Sequence, residues 1–457
     1  MPAPPIVVQT IYAELLERCA GAAFDDAFIE HGAFTPKTTK GRRYWYFQTG
    51  TGDARKQLYV GPETPKLLER IERHQTARSD ESQRRALVST LVRSFNLPRP
   101  SSEMGNIIEA LAHAGVFRLR GVLVGTVAYQ TYLAMLGVKL SNSLIQTADI
   151  DIAQFKDISV AVEDSTPPML DLLREIDPTF RDIPSTFDSR HSTSYAARDG
   201  TRVDFLTPNR GSGSDKPESL PSFQTDAQSL PFLDYLIHEP EPAVILHNAG
   251  VYVQVPAPQR YAIHKLIVSR RRNQGTAKAD KDLKQAEALL GVLSERRPHE
   301  LKLAWQEAYE RGPTWRQLLT EAIGKLDASV RDMTLRVIDI RRSTIPGLDL
   351  TFDNPPARYD PHRDIVTFNG TSLGSTVACA VSRETLDDHF GTDGLGQNER
   401  LQQFLKNRSK IELLARAKYL TSPVEEPGAV LIKTTDVQKL SSKISPVGSP
   451  PHGRSPS

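Results

Sequence analysis

Cysteine is nearly absent: two residues in 457, Cys19 and Cys379, far apart in the chain and each among apolar neighbours. That excludes a disulfide framework and any cysteine-based zinc spacing, and it fits buried free thiols in a reducing compartment. An excess of one charge is lacking too. Lysine and arginine number 57 against 55 aspartates and glutamates, a formal net of +2. No global field therefore draws the chain to nucleic acid, and any such affinity must rest on local patches. No apolar run approaches the roughly 18 residues of a membrane span. The first residues, Met1-Pro-Ala-Pro-Pro-Ile-Val-Val8, have neither a basic n-region nor an apolar stretch long enough for a signal peptide. A cytoplasmic protein with no membrane partner is expected.

What remains is the composition of a soluble globular protein, 39% hydrophobic and 25% charged. A chain of 457 residues exceeds one ordinary core, so two or three domains are expected. Pro98 and Pro100 mark a first boundary, and Pro346-Gly347 and Pro355-Pro356 a linker. The punctuation divides the chain into an N-terminal helical and hairpin region (1–98), a central core (99–258), a helical subdomain (259–342), a linker (343–363), a small α+β module (364–433) and a tail (434–457). The tail is rich in Ser, Pro and Lys and too poor in apolar residues to fold.

The chemistry is concentrated between Val116 and Leu206. Val116–Val124 reads as a β-branched strand, and Gly125-Thr126 as the turn into a helix reaching Leu136. The N–H groups at such a helix start can receive phosphate. Asp149-Ile-Asp151-Ile152 reads as a strand with both carboxylates on one face and the isoleucines on the other. Ser194–Arg198, Asp199-Gly200 and Thr201–Leu206 read as a hairpin, Asp-Gly suiting a type I′ turn. Asp204 then comes on the return strand, flanked by Val203 and Phe205. Three carboxylates on neighbouring strands offer hard oxygen ligands for magnesium or manganese. Two such ions can steady the attacking and leaving oxygens of a phosphoryl displacement. Each element alone has a plainer reading, as a solvated strand face or an ordinary strand-to-helix turn; all three in order favour chemistry.

A Gly-Ser or Gly-Thr turn, an Asp-x-Asp strand and a third acidic strand resemble the DNA polymerase beta-like nucleotidyltransferase superfamily. The stretch also looks like an uncharacterised bacterial family of that fold and, more distantly, like toxin–antitoxin nucleotidyltransferases. The resemblance implies that Gly125 and Thr126 take the nucleotide's phosphates. It implies Asp149, Asp151 and Asp204 as metal ligands, with the third acid completing the metal site or acting as base. Threonine stands where the superfamily often has serine, and the hydroxyl is kept. The toxin-like members carry a lysine on a helix after the third acid, a basic stretch, and an aspartate on the next helix. Lys265 on Pro258–Arg272, Arg270–Arg272, and Asp280 or Asp282 stand in those places. By resemblance Lys265 neutralises the triphosphate and Asp282 orients it or the metal site. The three arginines are either an RNA-binding patch or a solvated end that complements the helix dipole.

The expected architecture is therefore α+β: a nucleotidyltransferase-fold mixed sheet flanked by helices, a helical subdomain, and a small C-terminal α+β domain. The expected activity is magnesium- or manganese-dependent transfer of a nucleoside monophosphate from an NTP such as ATP to a hydroxyl. An RNA or tRNA 3′ end is the first acceptor to try, with a protein or small molecule open. The alternative is a catalytically inactive protein of the same fold that binds nucleotide or a partner.

Elsewhere, Thr10–Ala20 reads as a helix, Arg42–Gln48 and Lys56–Val60 as a hairpin around Gly50 and Gly52, and Pro65–His74, Ser82–Phe95 and Ser102–Ala114 as helices. The basic and aromatic hairpin either stacks on bases or forms a cross-strand cluster. Asn209–Ser219 lacks the order of a P-loop and reads as an exposed loop or a flap. Asp282–Ser294, Pro298–Arg311 and Thr314–Arg341 read as helices. Asp364–Lys433 reads β-β-α-α-β and resembles a small bacterial domain of unknown function through Val377-Ala-Cys-Ala-Val381 and the N-cap Ser382. It carries no paired acids or phosphate turn, so an interaction or regulatory module, open to a protein partner, is expected.

Overall fold

The computed structural model describes residues 6–27, 32–39, 42–49, 56–74, 81–137, 144–161, 164–209, 216–340, 342–345, 347–353, 356–421 and 430–438. In chain order the elements are α1 (Ile6–Ala27), β1 (Gly32–Thr39), β2 (Arg42–Thr49), β3 (Lys56–Pro62), α2 (Pro65–His74), α3 (Glu81–Arg93), α4 (Ser102–His113), β4 (Val122–Val124), α5 (Gly125–Leu136), β5 (Asp149–Ala153), α6 (Lys156–Ala161) and α7 (Met169–Ile176). Then come β6 (Arg181–Pro184), β7 (Ser192–Ala196), β8 (Arg202–Pro208), β9 (Glu218–Leu220), β10 (Thr225–Leu230), α8 (Leu233–Leu236), β11 (Glu241–Ile245), β12 (Val251–Val255), α9 (Pro258–Arg271), α10 (Ala277–Arg296), α11 (Pro298–Glu310), α12 (Pro313–Ile323) and α13 (Ala328–Ile338). The last are β13 (Arg358–Asp360), β14 (Ile365–Ser372), β15 (Ser375–Ser382), α14 (Arg383–Phe390), α15 (Gln397–Lys406), α16 (Arg408–Thr421) and β16 (Val430–Ile432). The chain forms two compact units: Met1–Lys265 with Lys284–Val292, and Leu266–Leu283 with Leu293–Ser457.

The first unit is built on a mixed sheet of order β4-β5-β8-β10-β9, with β7 also on β8 and β6 on β7. β5–β8 and β8–β10 are parallel; β4–β5, β7–β8 and β9–β10 are antiparallel. Its apolar face is read directly from the alternation: Ile150, Ile152, Val203 and Phe205 are fully buried while the aspartates between them are not. α4 packs through Met104, Ile107, Ile108 and Leu111, one helical face at three- and four-residue steps, and Ser101 caps it by accepting from the Met104 N–H. α1 presents Val8, Tyr12, Leu15 and Cys19 in the same way. Its Tyr12 hydroxyl accepts from the buried Val244 N–H at 3.0 Å, tying α1 to the β11–β12 hairpin. The aromatic hairpin gains a third strand, β1, paired with β2, and its rings pack on one another: Phe34–Phe47 at 4.7 Å and Tyr46–Tyr59 at 5.6 Å. Its rings form a packed cluster of this kind; the turn residues Gly50 and Gly52 lie outside the described residues.

The second unit holds α11 to α13, the four-stranded sheet β13-β14-β15-β16, and α14 to α16. β14–β15 is a hairpin and β15–β16 a parallel pair. The Ser382 hydroxyl caps α14 by accepting from the Thr385 N–H. Cys379 is buried there, and burial pushes its thiol up to about 12, so it is an inert apolar filler.

Several expectations changed. The strand expected over Val116–Val124 shrinks to Val122–Val124, because turn bonds from Leu119 N to Gly115 O and Gly121 N to Val116 O curl the preceding residues. The Asp199-Gly200 hairpin has a positive φ at Gly200 alone, with Gly200 N bonded to Ala197 O and Ala197 N to Thr201 O. It is a three-residue loop of the bulged kind, not a type I′ turn, which needs positive φ at both central residues. Thr314–Arg341 is two helices, because Asp327 caps a new one through the Ser329 N–H. The second helix expected within Asp364–Lys433 likewise breaks at Asn407. In the stretch expected as a linker, Ile345, Leu348 and Leu350 are buried and Thr351 pairs with Thr371. In the expected tail, 434–438 form a helical turn with Val437 buried, and Asp436 accepts from Lys418 Nζ at 2.6 Å. Pro346, Pro355, 210–215 and 439–457 lie outside the described residues. No described helix is long and apolar enough to cross a membrane.

The Tyr12–Val244 bond yields the first prediction. Tyr12→Phe leaves a buried backbone N–H without an acceptor, a cost of about 1–3 kcal/mol. Chemical denaturation of the variant should show that loss with the fold kept. An unchanged midpoint would mean that the bond does not dock α1.

Candidate active site

Strand register assembles the site. β4 ends at Val124, which lies opposite Asp151 of β5, and Asp151 lies opposite Asp204 of β8. Paired residues in a ladder project to the same face, and alternate residues along a strand share it. Asp149, Asp151 and Asp204 therefore stand on one face, with strands about 4.8 Å apart. Asp151 is the most enclosed. Burial, then the charges of Asp204 and Asp149, push its carboxyl up to about 6, against the pull of Lys265 and Arg202.

The turn after β4 is fitted to the same carboxylate. Gly125 has φ +68, and a Cβ there would fall 2.1 Å from Asp151 Oδ2. Only glycine meets both demands. Val124, the N-cap of α5, contributes no capping side chain, so the first-turn N–H groups have no side-chain cap to compete with a phosphate. Thr126, half-buried, is the next residue of that turn. The Gly125 carbonyl is held at 2.9 Å by the Tyr261 hydroxyl, which also lies 3.1 Å from Gln285 Oε1; Gln285 Nε2 donates to Leu144 O at 2.8 Å. Lys265 Nζ sits 5.3 Å from the Tyr261 ring centre, one helical turn along α9. Tyr261 and Gln285 are positioning residues that the sequence reading passed over, taking Tyr261 only as part of an apolar helix face. The place of Tyr261 four residues before Lys265, and the polar tips of both residues on buried faces, were the available signal.

The third acid has a cation of its own. Arg202 Nε donates to Asp204 Oδ1 at 2.7 Å, and its Nη2 to Ser194 Oγ at 3.0 Å. Among the described residues no three His, Cys, Asp or Glu side chains are drawn together tightly enough to hold a metal ion. The aspartates fit a hard divalent cation in donor chemistry and shared face, and mutual repulsion raising Asp151 is what such a cation relieves. They are not preset as a cage. Asp282 is buried on α10 and accepts from Arg272 Nε at 2.6 Å; Asp280 is exposed in the first turn. Arg270 Nη1 donates to Gln274 at 2.6 Å. Arg270 and Arg272 are thus engaged within the fold.

Comparison with known families links the central part of the chain to nucleotidyl transfer. Residues 102–310 match the family model described as nucleotidyltransferase, and residues 350–432 match that of a protein family of unknown function, DUF1488. The chain therefore carries a nucleotidyltransferase-family domain followed by a DUF1488 domain. Among solved structures it is similar to an antigenic nucleotidyltransferase-like protein from Paracoccidioides brasiliensis, at 14% identity and a TM-score of 0.25, covering 49% of this chain and 94% of that one. No curated protein matches it.

Gly125 gives the second prediction. Gly125→Ala places a methyl against the Asp151 carboxylate and strains a left-handed residue, costing about 1–2 kcal/mol. It should lower stability modestly and NTP binding strongly, measured by thermal unfolding and nucleotide titration side by side. Unaltered nucleotide binding would remove Gly125 from the phosphate site.

Proposed function

We propose that the chain is a divalent-metal-dependent nucleotidyltransferase that moves a nucleoside monophosphate from an NTP to a hydroxyl and releases pyrophosphate. The observation that carries this reading is the register that sets Asp151 between the Gly125 turn and Asp204. In it the α5 amides and Thr126 take the triphosphate. Lys265 offsets negative charge as the bond from the α-phosphorus to the bridging oxygen breaks. The acceptor oxygen attacks that phosphorus, and its proton passes to the Asp204 carboxylate. Magnesium or manganese, when bound by Asp149, Asp151 and Asp204, supplies charge stabilisation for both the attacking and the leaving oxygen. Asp282, held by Arg272, has a supporting part in nucleotide orientation. An RNA or tRNA 3′ end is the acceptor to try first, in keeping with a toxin-like role, and the DUF1488 domain offers a surface for a protein partner.

A second reading has its own observation. Arg202 already neutralises Asp204, as a protein that binds nucleotide without turnover could afford. The two separate in one assay: each labelled NTP with magnesium or manganese and total RNA. The first reading expects label in the acceptor and free pyrophosphate. Asp149→Asn keeps the shape and removes an anionic ligand, so it should lose on the order of 100-fold or more, since even outer-shell partners are worth about 10–100-fold. Lys265→Ala should lower NTP use with every acceptor. Nucleotide binding without label transfer to any acceptor would favour the second reading, and full turnover by Asp149→Asn would sink the site assignment.

A further inference from the structure

A large cavity in the first unit lies apart from the acids. It measures about 1080 Å³ and lies among α1, β3, α2, α3, the end of α4 and the turns before β4 and β12. None of Asp149, Asp151, Asp204, Gly125 or Lys265 lines it. Its cations are the arginines 70, 84, 85, 118 and 120. The acids on its wall already have partners: Glu81 with Arg85 at 2.6 Å, Asp164 with Arg118, Glu109 with the Asn248 amide at 2.7 Å, and Glu239 with Arg260 at 3.6 Å. Arg70 and Arg120 have no ion pair among the described residues, and Arg70 Nε is buried with no hydrogen-bond partner. Arg120 is also held at a left-handed φ of 72°, a strain that persists only where the surroundings fix it. Between these cations the wall is apolar, with Phe24, Leu58 and Phe117.

A planar guanidinium with unspent donors is suited to phosphate, which it can grip through two parallel bonds. A cavity of this size is far larger than one phosphate needs and matches a ligand with an organic body. We propose that it is a second ligand site, for a small molecule bearing phosphate groups and a flat apolar body, which is the chemistry of a nucleoside phosphate. Arg70 and Arg120 grip the phosphates, and the ring lies against Phe24 and Phe117. The site is independent of the acids on the sheet and needs no divalent metal.

The test is equilibrium dialysis of the full chain with labelled ATP in EDTA, with inorganic phosphate as competitor. The parent should bind ATP without metal, and phosphate should compete. The double variant Arg70→Gln, Arg120→Gln should weaken binding at least about tenfold, the scale of one lost charged hydrogen bond. Ala112→Trp, which fills the cavity from α4, should block binding with the arginines intact, and carries the test if the double variant lacks the parent's thermal transition. The proposal is overturned if the metal-free parent binds no ATP. It is equally overturned if Lys265→Ala abolishes binding while folded arginine and Ala112→Trp variants retain it. Its failure is separate from that of the transferase reading, which is decided by metal-dependent turnover.

Discussion

The first unit depends on one costly arrangement: a carboxylate, Asp151, enclosed beside two others on the same sheet face. Burial and like charge both oppose its ionisation, and its carboxyl rises to about 6. Such a group persists where the surrounding packing over-determines it. Here the packing is the fully buried Ile150, Ile152, Val203 and Phe205 behind it. The hydrophobic face fixes register, since a slip of one residue would turn that face to solvent and the acids into the core. Core packing and acid placement are thus a single constraint.

Around it the chain spends polar contacts on holding backbone. The Tyr261 hydroxyl binds the Gly125 carbonyl, and Gln285 links that hydroxyl to the Leu144 carbonyl. Arg202 braces Asp204 from its own strand. These are side chains whose value lies in where they keep the turn and the third acid. The second unit shows a different economy: the arginine Arg342 stacks on Tyr419 at 4.3 Å and bonds to its carbonyl and to Asp332, which packs the stretch before β13 onto α16.

Much of this was legible in advance. Alternation around Asp149 and Asp151, the Gly125-Thr126 turn and the hairpin leading to Asp204 all follow from local pattern. The helices Pro65–His74 and Arg383–Phe390 appear with the bounds their composition implies. The strand over Val116–Val124 was over-read because a β-branched run looks the same whether it is extended or curled under long-range packing. The split of Thr314–Arg341 turned on a cap at Asp327 that an amphipathic pattern passes over. β1 was missed because Gly32–Thr39 has a weak pattern and is specified by its partner β2.

The sequence by itself determined the composition class, the order of elements around the acids, and which residues carry hard oxygen chemistry. These are local properties, set by side-chain period, turn preference and charge. Only the tertiary structure decided that Asp151 faces Asp204, that Tyr261 holds the Gly125 turn, that Arg272 is taken by Asp282, and that arginines from α2 and from the turn before β4 meet over one cavity. All but the Arg272–Asp282 contact join residues far apart in the chain. Such meetings depend on how the apolar faces pack together, and no local pattern encodes that.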